Sequence, residues 1–223
     1  MRLFKPHELP GTLICVEGID GSGKSTQLGI LRDWLKSKNL DVIFTEWNSS
    51  DLISQTTKKA KKKNLLSPRT FSLLHAVDFA DRLEQIIIPA MKAGFIVLAD
   101  RYVYTAFARD VARGVDRDWV RSMYGFAIKP DLALYYSIPA EVSLERICAN
   151  RAPSFYEAGM DLKLSNNPYK SYVIFQSRVN EEYADMVNEF GLVRIDANNT
   201  IHSKQVLLRQ YVTELLSKKG IQI

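Results

Sequence analysis

Hydrophobic residues in this chain fall either into short unbroken runs or into longer segments where they recur every three to four positions. The runs predict buried strands, because a strand covered on both faces needs apolar side chains throughout. The predicted strands lie at 13–16, 42–44, 95–99, 131–136 and 192–196; the first three are unbroken apolar runs, whereas the last two also contain charged residues. The spaced segments predict helices. They lie near 24–38, 116–128, 140–150, 171–190 and 202–218.

Another helical segment opens at Ser67-Pro68 and carries apolar residues as far as 86–88. Pro89 within it predicts a kink or a break, because proline lacks the N–H that a helix needs. Strands that alternate with helices predict an α/β fold with right-handed crossovers. We expect a doubly wound, five-stranded parallel sheet with helices on both faces. No linker or repeat divides the chain, so residues 1–223 are expected to form a single domain.

Composition is that of an ordinary globular protein. Of the 223 residues, 46% are hydrophobic and 25% are charged, which excludes wholesale disorder, a collagen-like chain and a disulfide-stapled miniprotein. Lys and Arg number 30 against 25 Asp and Glu, giving a formal net charge of +5. This excess suits anionic ligands but is too small to indicate nucleic-acid binding, so no nucleic-acid partner is expected.

Cysteine content and the lack of long apolar runs are the features that bear on cellular location. Only Cys15 and Cys148 occur, and neither lies at zinc-ligand spacing, which favours a reducing compartment. No apolar run approaches the ~18 residues of a membrane span, and the first residues lack a signal-peptide core. We expect a cytoplasmic protein with no membrane partner. The basic run at 58–63 is interpreted as a solvated helix face or mobile loop, with an anion-attracting patch as the less favoured alternative.

The strongest functional signal lies between the first strand and the first helix. Residues 18–26, the phosphate loop, have the glycine and Lys-Ser spacing that binds nucleoside triphosphates. Glycines let backbone N–H groups approach phosphate oxygens, and the helix N-terminus adds a favourable field. Lys24 is expected at the terminal phosphates and the Ser25 hydroxyl at magnesium. The predicted triphosphate-binding residues are Gly18, Ile19, Asp20, Gly21, Ser22, Gly23, Lys24, Ser25 and Thr26.

A second signal, Asp100-Arg101-Tyr102, follows the third strand. Ligands of open parallel sheets bind at the carboxyl ends of the strands. There a carboxylate holds magnesium directly or through water, and a guanidinium clamps a phosphate with two hydrogen bonds. Asp100 is therefore a candidate metal ligand and Arg101 a candidate phosphate ligand.

The phosphate loop, the Ala80-Asp81-Arg82 segment and the triplet at 100–102 together resemble the thymidylate kinase family of nucleoside monophosphate kinases. The resemblance extends from Leu13 to about Leu216. It implies an enzyme that transfers the γ-phosphoryl group of ATP to dTMP, giving dTDP, with Mg²⁺ as cofactor. It also implies a mobile lid and a homodimer.

Matching positions carry roles over to this chain. Asp20 would lie near the acceptor sugar or phosphate, and Arg101 would grip the acceptor phosphate with Asp100 at the metal. Arg82 would face the pyrimidine base, and Thr105 stands where the family often has Ser. The substrate-binding candidates are Asp20, Asp78, Arg82, Arg101, Thr105 and Arg109.

The sequence departs from the family in the acceptor region. After its second strand the family usually has an Arg for the acceptor phosphate, but residues 44–50 contain none. Arg69 and Arg109 are substitutes on charge alone. Arg109-Asp110 also replaces a frequent Tyr-Gln pair. The base pocket is therefore altered.

The family's thymine-stacking Phe is replaced by Asp78. An aromatic face would then come from another residue, and Asp78 is alternatively an ion-pair partner of Arg82, one helical turn away. The aromatic candidates are Phe79, Phe71, Trp47 and Tyr104.

A lid is expected at about 147–168, where a helix end leads into a stretch with Pro153, Gly159 and Pro168. Phosphoryl transfer depends on positioning and charge neutralisation, so the lid should supply cations. Arg146 is assigned to ATP and Arg151 to catalysis. The catalytic residues implied by the resemblance are Lys24, Arg101, Arg151 and Asp20. Residues 196–200 resemble the family's loop beside adenine.

Other functions remain open from the sequence. The altered pocket allows another pyrimidine nucleoside monophosphate such as dUMP. A nucleoside kinase would have no need of Arg101 as a phosphate clamp. A switch of the GTPase kind would want an Asn-Lys-x-Asp signature, which the sequence lacks.

Overall fold

The five predicted strand segments form five strands in the computed structural model, which describes residues 4, 6–64 and 66–223. Met1 to Leu3, Lys5 and Leu65 lie outside the described residues. The expectation of no signal peptide concerns the first residues of the chain and therefore lies partly outside them. The strands are β1 Thr12–Glu17, β2 Val42–Glu46, β3 Ile96–Asp100, β4 Leu132–Ser137 and β5 Val193–Asp196.

All four strand pairs are parallel, and the strand order is β2-β3-β1-β4-β5. β1 lies at the centre and every residue in it is buried, which explains its unbroken apolar run. Val16 near the end of β1 pairs with Asp100 at the end of β3. This register places the phosphate loop beside the Asp100–Tyr102 triplet.

Helices cover both faces of the sheet, which confirms the predicted fold class. Helix α1 packs on α9, whereas α5 packs on α3 and α8. Right-handed crossovers put these two groups on opposite faces. The bounds are α1 Lys24–Ser37, α2 Ser54–Lys62, α3 Pro68–Arg82, α4 Ile88–Lys92, α5 Val103–Ala112, α6 Arg117–Met123, α7 Ala140–Cys148, α8 Pro168–Phe190 and α9 Ile201–Lys218.

The proline in the third helical segment has a visible structural effect. After α3 the chain makes a π-helical turn over Leu83–Ile87 before α4 continues it. Pro89 cannot donate an N–H to the preceding turn, so the hydrogen-bond ladder widens just upstream. The predicted interruption is confirmed.

Two helices were less clear in the sequence. The hydrophobic pattern does not predict α5, and it leaves a helix face or a mobile loop open for the basic run. The run is helical to Lys62, and Lys58, Lys59, Lys62 and Lys63 are exposed, but Lys61 is half-buried. Over the residues that the structure describes, no helix is long and apolar enough to cross a membrane.

Candidate active site

The phosphate loop is fixed by close backbone contacts. Gly21 has a φ of 74°, and a Cβ there would lie 2.8 Å from the carbonyl oxygen of Ser143 on α7. Glycine alone fits this position, because it accepts both the positive φ and the close approach. The Ser143 hydroxyl also donates to the carbonyl of Asp20. Helix α7 thereby holds the loop from behind.

Lys24 begins α1 and is buried at the base of the loop. Its Nζ donates to the carbonyl of Ile19 at 2.8 Å and contacts the Ser22 hydroxyl at 3.3 Å. Burial, together with repulsion from Arg101, lowers the pKa of Lys24 to about 8. Neither of these hydrogen-bond partners is charged, and a bound polyphosphate would give the ammonium an anionic partner.

The two predicted metal ligands lie together. The Ser25 hydroxyl on α1 donates to the Asp100 carboxylate at the end of β3. Both are hard oxygen donors, and Mg²⁺ usually takes few protein ligands and completes its shell with phosphates and water. The pair therefore fits Mg²⁺ at the mouth of the phosphate loop.

Arg101 adopts a strained backbone conformation. Its φ is 74°, which is rare for a residue with a side chain. Its backbone N–H donates to Val16 at 3.0 Å, and its guanidinium bonds the Gly18 carbonyl at 2.9 Å and the Asp20 carboxylate. Burial acts to lower the pKa of Arg101, but Asp20 outweighs burial and raises it above the usual value.

The turn that carries Arg101 rests on a buried carboxyl group. Glu17 accepts hydrogen bonds from the Tyr102 backbone N–H at 2.7 Å, the Thr105 hydroxyl at 2.7 Å and the Tyr183 hydroxyl at 2.9 Å. Burial raises the pKa of Glu17 despite these bonds. Thr105 is fully buried and also accepts from Arg101 at 3.3 Å. The structure places Thr105 beneath Arg101, as a support for it.

Two cavities adjoin at Asp20, Trp47 and Arg101. The first cavity, about 390 Å³, holds the phosphate loop and the metal pair. Its lining residues are Asp20, Gly21, Gly23, Lys24, Ser25, Thr26, Glu46, Trp47, Asp100, Arg101 and Arg151. The second cavity, about 460 Å³, is more aromatic. Its lining residues are Asp20, Trp47, Asn48, Lys61, Lys62, Phe71, His75, Arg101, Arg109, Ser154, Phe155, Tyr156 and Glu157.

Asp20 is held between two guanidinium groups at the junction. Arg109 on α5 lies 3.4 Å from one Asp20 oxygen, while Arg101 bonds the other. Burial would raise the pKa of Asp20, but Arg101 and Arg109 outweigh burial and hold it well below its ordinary value. Of the two charge-based substitutes for the missing phosphate ligand, the structure brings Arg109 to the second cavity. Arg69 instead lies against the Trp119 ring, 5.9 Å from its centroid.

The other two candidate arginines lie on the donor side. Arg151 lines the first cavity and makes two hydrogen bonds of 2.7 Å to Glu157, six residues further along the chain. Arg146 donates to the Ala197 carbonyl at 3.2 Å, and Lys204 donates to the same oxygen at 3.1 Å. Arg146 thus contacts the loop after β5 and is absent from the lining of both cavities.

Asp78 and Arg82 do not reach either cavity wall. Asp78 accepts the backbone N–H groups of Asn48 at 3.0 Å and Ser50 at 2.9 Å. Its carboxylate lies 3.6 Å from Arg82, which confirms the ion pair considered above. Arg82 is fully buried and donates to Thr45 at 3.0 Å. Asp78 thus fastens the segment after β2, and Arg82 bonds to β2 itself.

The aromatic candidates divide between cavity and core. Trp47 and Phe71 line the second cavity, whereas Phe79 and Tyr104 are buried in the core. Eight further lining residues were not among the candidates named from the sequence: Asn48, Lys61, Lys62, His75, Ser154, Phe155, Tyr156 and Glu157. Helical spacing puts Phe71 and His75 on one face of α3, but nothing local distinguishes a cavity-facing side chain from a core one.

The sheet order, the phosphate loop after the central strand and the arginine turn after its neighbour define a phosphate-loop kinase of the nucleoside monophosphate kinase type. A sequence model described as thymidylate kinase matches residues 16–206. The chain belongs to the thymidylate kinase family.

Curated relatives agree with this assignment over most of the chain. A protein named probable thymidylate kinase 2 from Saccharolobus solfataricus is 46% identical over 208 residues, covering 92% of this chain and 97% of that one. Probable thymidylate kinase from Pyrococcus horikoshii is 32% identical, covering 89% and 95%. Thymidylate kinase from Desulfotalea psychrophila is 37% identical over 143 residues, covering 64% and 71%.

Proposed function

We propose that this protein transfers the γ-phosphoryl group of ATP to dTMP, giving dTDP. The observation that carries the proposal is the junction of the two cavities at Arg101 and Asp20. The first cavity presents the phosphate loop. The second presents Arg101 and Arg109 beside Asp20, and further along it aromatic rings, with Lys61 over one of them, Phe71. A triphosphate and a monophosphate would therefore meet end to end.

The chain's own groups would position the reactants. Lys24 would neutralise the γ-phosphate, and the loop N–H groups would hold the phosphates in line for transfer. Mg²⁺ held by Ser25 and Asp100 would supply charge neutralisation on the triphosphate. Arg101 and Arg109 would bind the acceptor phosphate. Asp20 would then lose part of its pairing and become available to the acceptor sugar hydroxyl.

The segment between α7 and α8 would act as the lid. Arg151 lies on this segment and already lines the first cavity, although Glu157 pairs with it. Release from Glu157 toward the transferring phosphoryl group would add a cation and exclude water from the junction. Arg146 would contribute to the ATP site through the Ala197 loop.

We also propose a homodimer and a cytoplasmic location, with residues 1–223 as one domain. On α3, Leu73 and Val77 are one turn apart and are 47% and 43% exposed, and Phe126 is 38% exposed. Apolar side chains exposed together on one helix favour burial against a second copy. Light scattering after gel filtration would give the mass, and a monomer across the working concentration range would contradict the dimer.

A coupled assay with ATP, Mg²⁺ and dTMP, dUMP, dCMP, UMP, AMP and GMP tests the reaction. We expect dTMP to give the highest kcat/KM. Phosphorylation of none of the six would overturn the proposed reaction. A preference for dUMP would support the alternative pyrimidine substrate, while a purine preference would contradict the pyrimidine pocket. The Lys24→Met variant is the matched blank for contaminating kinases.

A further inference from the structure

The wall of the second cavity contains a histidine with no role in the site described so far. His75 lies on α3 and is 2% exposed. Its ring is 4.2 Å from the Phe71 ring and 5.4 Å from the Trp47 ring, measured between centroids. All three residues line the cavity. The imidazole is thus a polar group at the aromatic end, where Lys61 Nζ also lies 4.9 Å from the Phe71 centroid.

Neither His75 nitrogen has a hydrogen-bond partner among the described residues. The nearest carboxylate is Asp110 on α5, whose oxygen lies 4.0 Å from Nδ1, beyond hydrogen-bond distance. A buried polar group without a partner costs free energy that folding alone does not return. An unpartnered ring that lines a cavity therefore points to a ligand atom as its partner.

The charge state of His75 follows from its surroundings. Burial, followed by the positive charges of Lys61, Arg109, Arg113 and Arg101, lowers its pKa well below the usual value. Asp110 is the acidic group on the other side, and burial raises the pKa of Asp110 to about 6. The imidazole is neutral at neutral pH and offers one N–H donor and one lone pair.

The polarity of the cavity sets the direction of a bound nucleotide. Arg101, Arg109 and Asp20 form the charged end at the junction, where the acceptor phosphate must lie for transfer. The base then lies toward Phe71, His75 and Tyr156. A pyrimidine presents carbonyl oxygens and ring nitrogens along its edge, which match a neutral imidazole. Asp78 and Arg82 are paired with each other, and they bond to the segment after β2 and to Thr45 of β2, respectively.

We propose that His75 is the residue that reads the edge of the acceptor pyrimidine, through a hydrogen bond from or to its neutral imidazole. This inference rests on the proposed function of the second cavity as the acceptor site. It assigns base recognition to a residue of α3 three positions before Asp78. His75 is then a specificity-determining residue that contacts substrate but not the transferring phosphoryl group.

Kinetics of His75→Phe and His75→Gln test the assignment. His75→Phe keeps a ring of similar size but removes both nitrogens, so we expect KM for dTMP to rise about tenfold and the dTMP/dCMP ratio of kcat/KM to fall about fivefold. KM for ATP and kcat should change less than twofold. His75→Gln, which restores a donor and an acceptor, should recover part of the loss. His202→Phe, at an exposed position, is the matched control.

Unchanged KM for dTMP and an unchanged base ratio in folded His75→Phe would overturn the inference while leaving the proposed function intact. Failure of the wild-type protein to phosphorylate any pyrimidine monophosphate would instead defeat the proposed function. If His75→Phe does not fold, the ¹⁵N imidazole spectrum of the wild-type protein decides the matter. The chain has three histidines. On titration with dTMP alone, the His75 nitrogen signals should shift, and unmoved signals would contradict the proposal.

Discussion

The first and second cavities are built in contrasting ways. The first is built mainly on one contiguous stretch, residues 18–26, and on Asp100 across the β1–β3 register; Glu46, Trp47, Arg101 and Arg151 complete its lining. The second takes most of its walls from α2, α3, α5, the segment after β2 and the segment between α7 and α8, and it shares Asp20 and Arg101 with the first. A site formed by consecutive residues can be recognised in the sequence as a motif. A site formed by residues from several separate segments cannot.

The two cavities also differ in how many of their polar groups have hydrogen-bond partners. In the first, Lys24 already bonds the Ile19 carbonyl and Ser25 bonds Asp100. In the second, the His75 nitrogens and Arg109 Nε are buried without hydrogen-bond partners among the described residues, and so are Trp47 Nε1 and Asp20 Oδ2 where the two cavities join. Lys24 and Ser25 in the first cavity thus have partners within the protein, whereas the polar side chains of the second depend more on a ligand for their hydrogen bonds.

The largest effect is expected where the two cavities join. Arg101→Ala removes the proposed acceptor-phosphate clamp and releases Asp20, so kcat/KM should fall by about 10³-fold. Steady-state kinetics with dTMP would measure the loss. Arg69→Ala, outside the second cavity, is the control. A loss below tenfold in a folded Arg101 variant would show that the junction is not the acceptor-phosphate site.

The next effect concerns stability and tests why the second cavity departs from the family pattern. Asp78→Phe restores the family residue but leaves two backbone N–H groups and buried Arg82 without their acceptor. The free energy of unfolding should drop by about 3–5 kcal/mol. Denaturant unfolding gives the value.

Asp78→Asn keeps an oxygen acceptor and should lose less stability than Asp78→Phe. Equal stability of Asp78→Phe and the wild-type protein would indicate that the carboxylate is dispensable for the fold.

The third prediction tests whether Arg151, at the first cavity, acts on the transferring phosphoryl group. Arg151→Ala should lower kcat about 10²-fold and leave KM for ATP within threefold, because the cation acts on the transferring group rather than on the bound nucleotide. Arg178→Ala, an exposed arginine on α8, should be neutral. Unchanged turnover in Arg151→Ala would remove this residue from the mechanism.

The smallest predicted effect is on pH dependence. Free Lys24 has a pKa of about 8, and bound phosphates should raise it. Below pH 8 the ammonium is charged in both states and ATP affinity is flat. Above pH 8 binding takes up a proton, so Kd should rise by up to about tenfold per pH unit.

Calorimetry with ATP alone in buffers of different ionisation enthalpy would detect this proton uptake. Lys24→Arg stays charged and should give a flat profile. An equally steep rise of Kd in both proteins would assign the pH dependence to another group.

The sequence predicted the fold closely because local and global patterns agree. The unbroken apolar run in β1 follows from its central position, and Pro89 interrupts the helical ladder wherever the segment lies. The sequence also named residues 18–26, Ser25 and Asp100 as site candidates, because the first is a contiguous motif and Asp100 ends a strand; the structure brings them together, and their roles stay predictions. For Asp78 the sequence allows two interpretations, a place in the substrate pocket and an ion pair with Arg82, since the four-residue spacing does not say what the side chain faces.

By itself the sequence determined the sheet, the phosphate loop and the family, because periodicity and contiguous motifs are local properties of the chain. Tertiary structure alone decided that Arg109 rather than Arg69 reaches Asp20, and that His75 lines a cavity. Such choices depend on which faces of separate helices meet. The packing of α3 against α5 sets those faces, and no single segment encodes it.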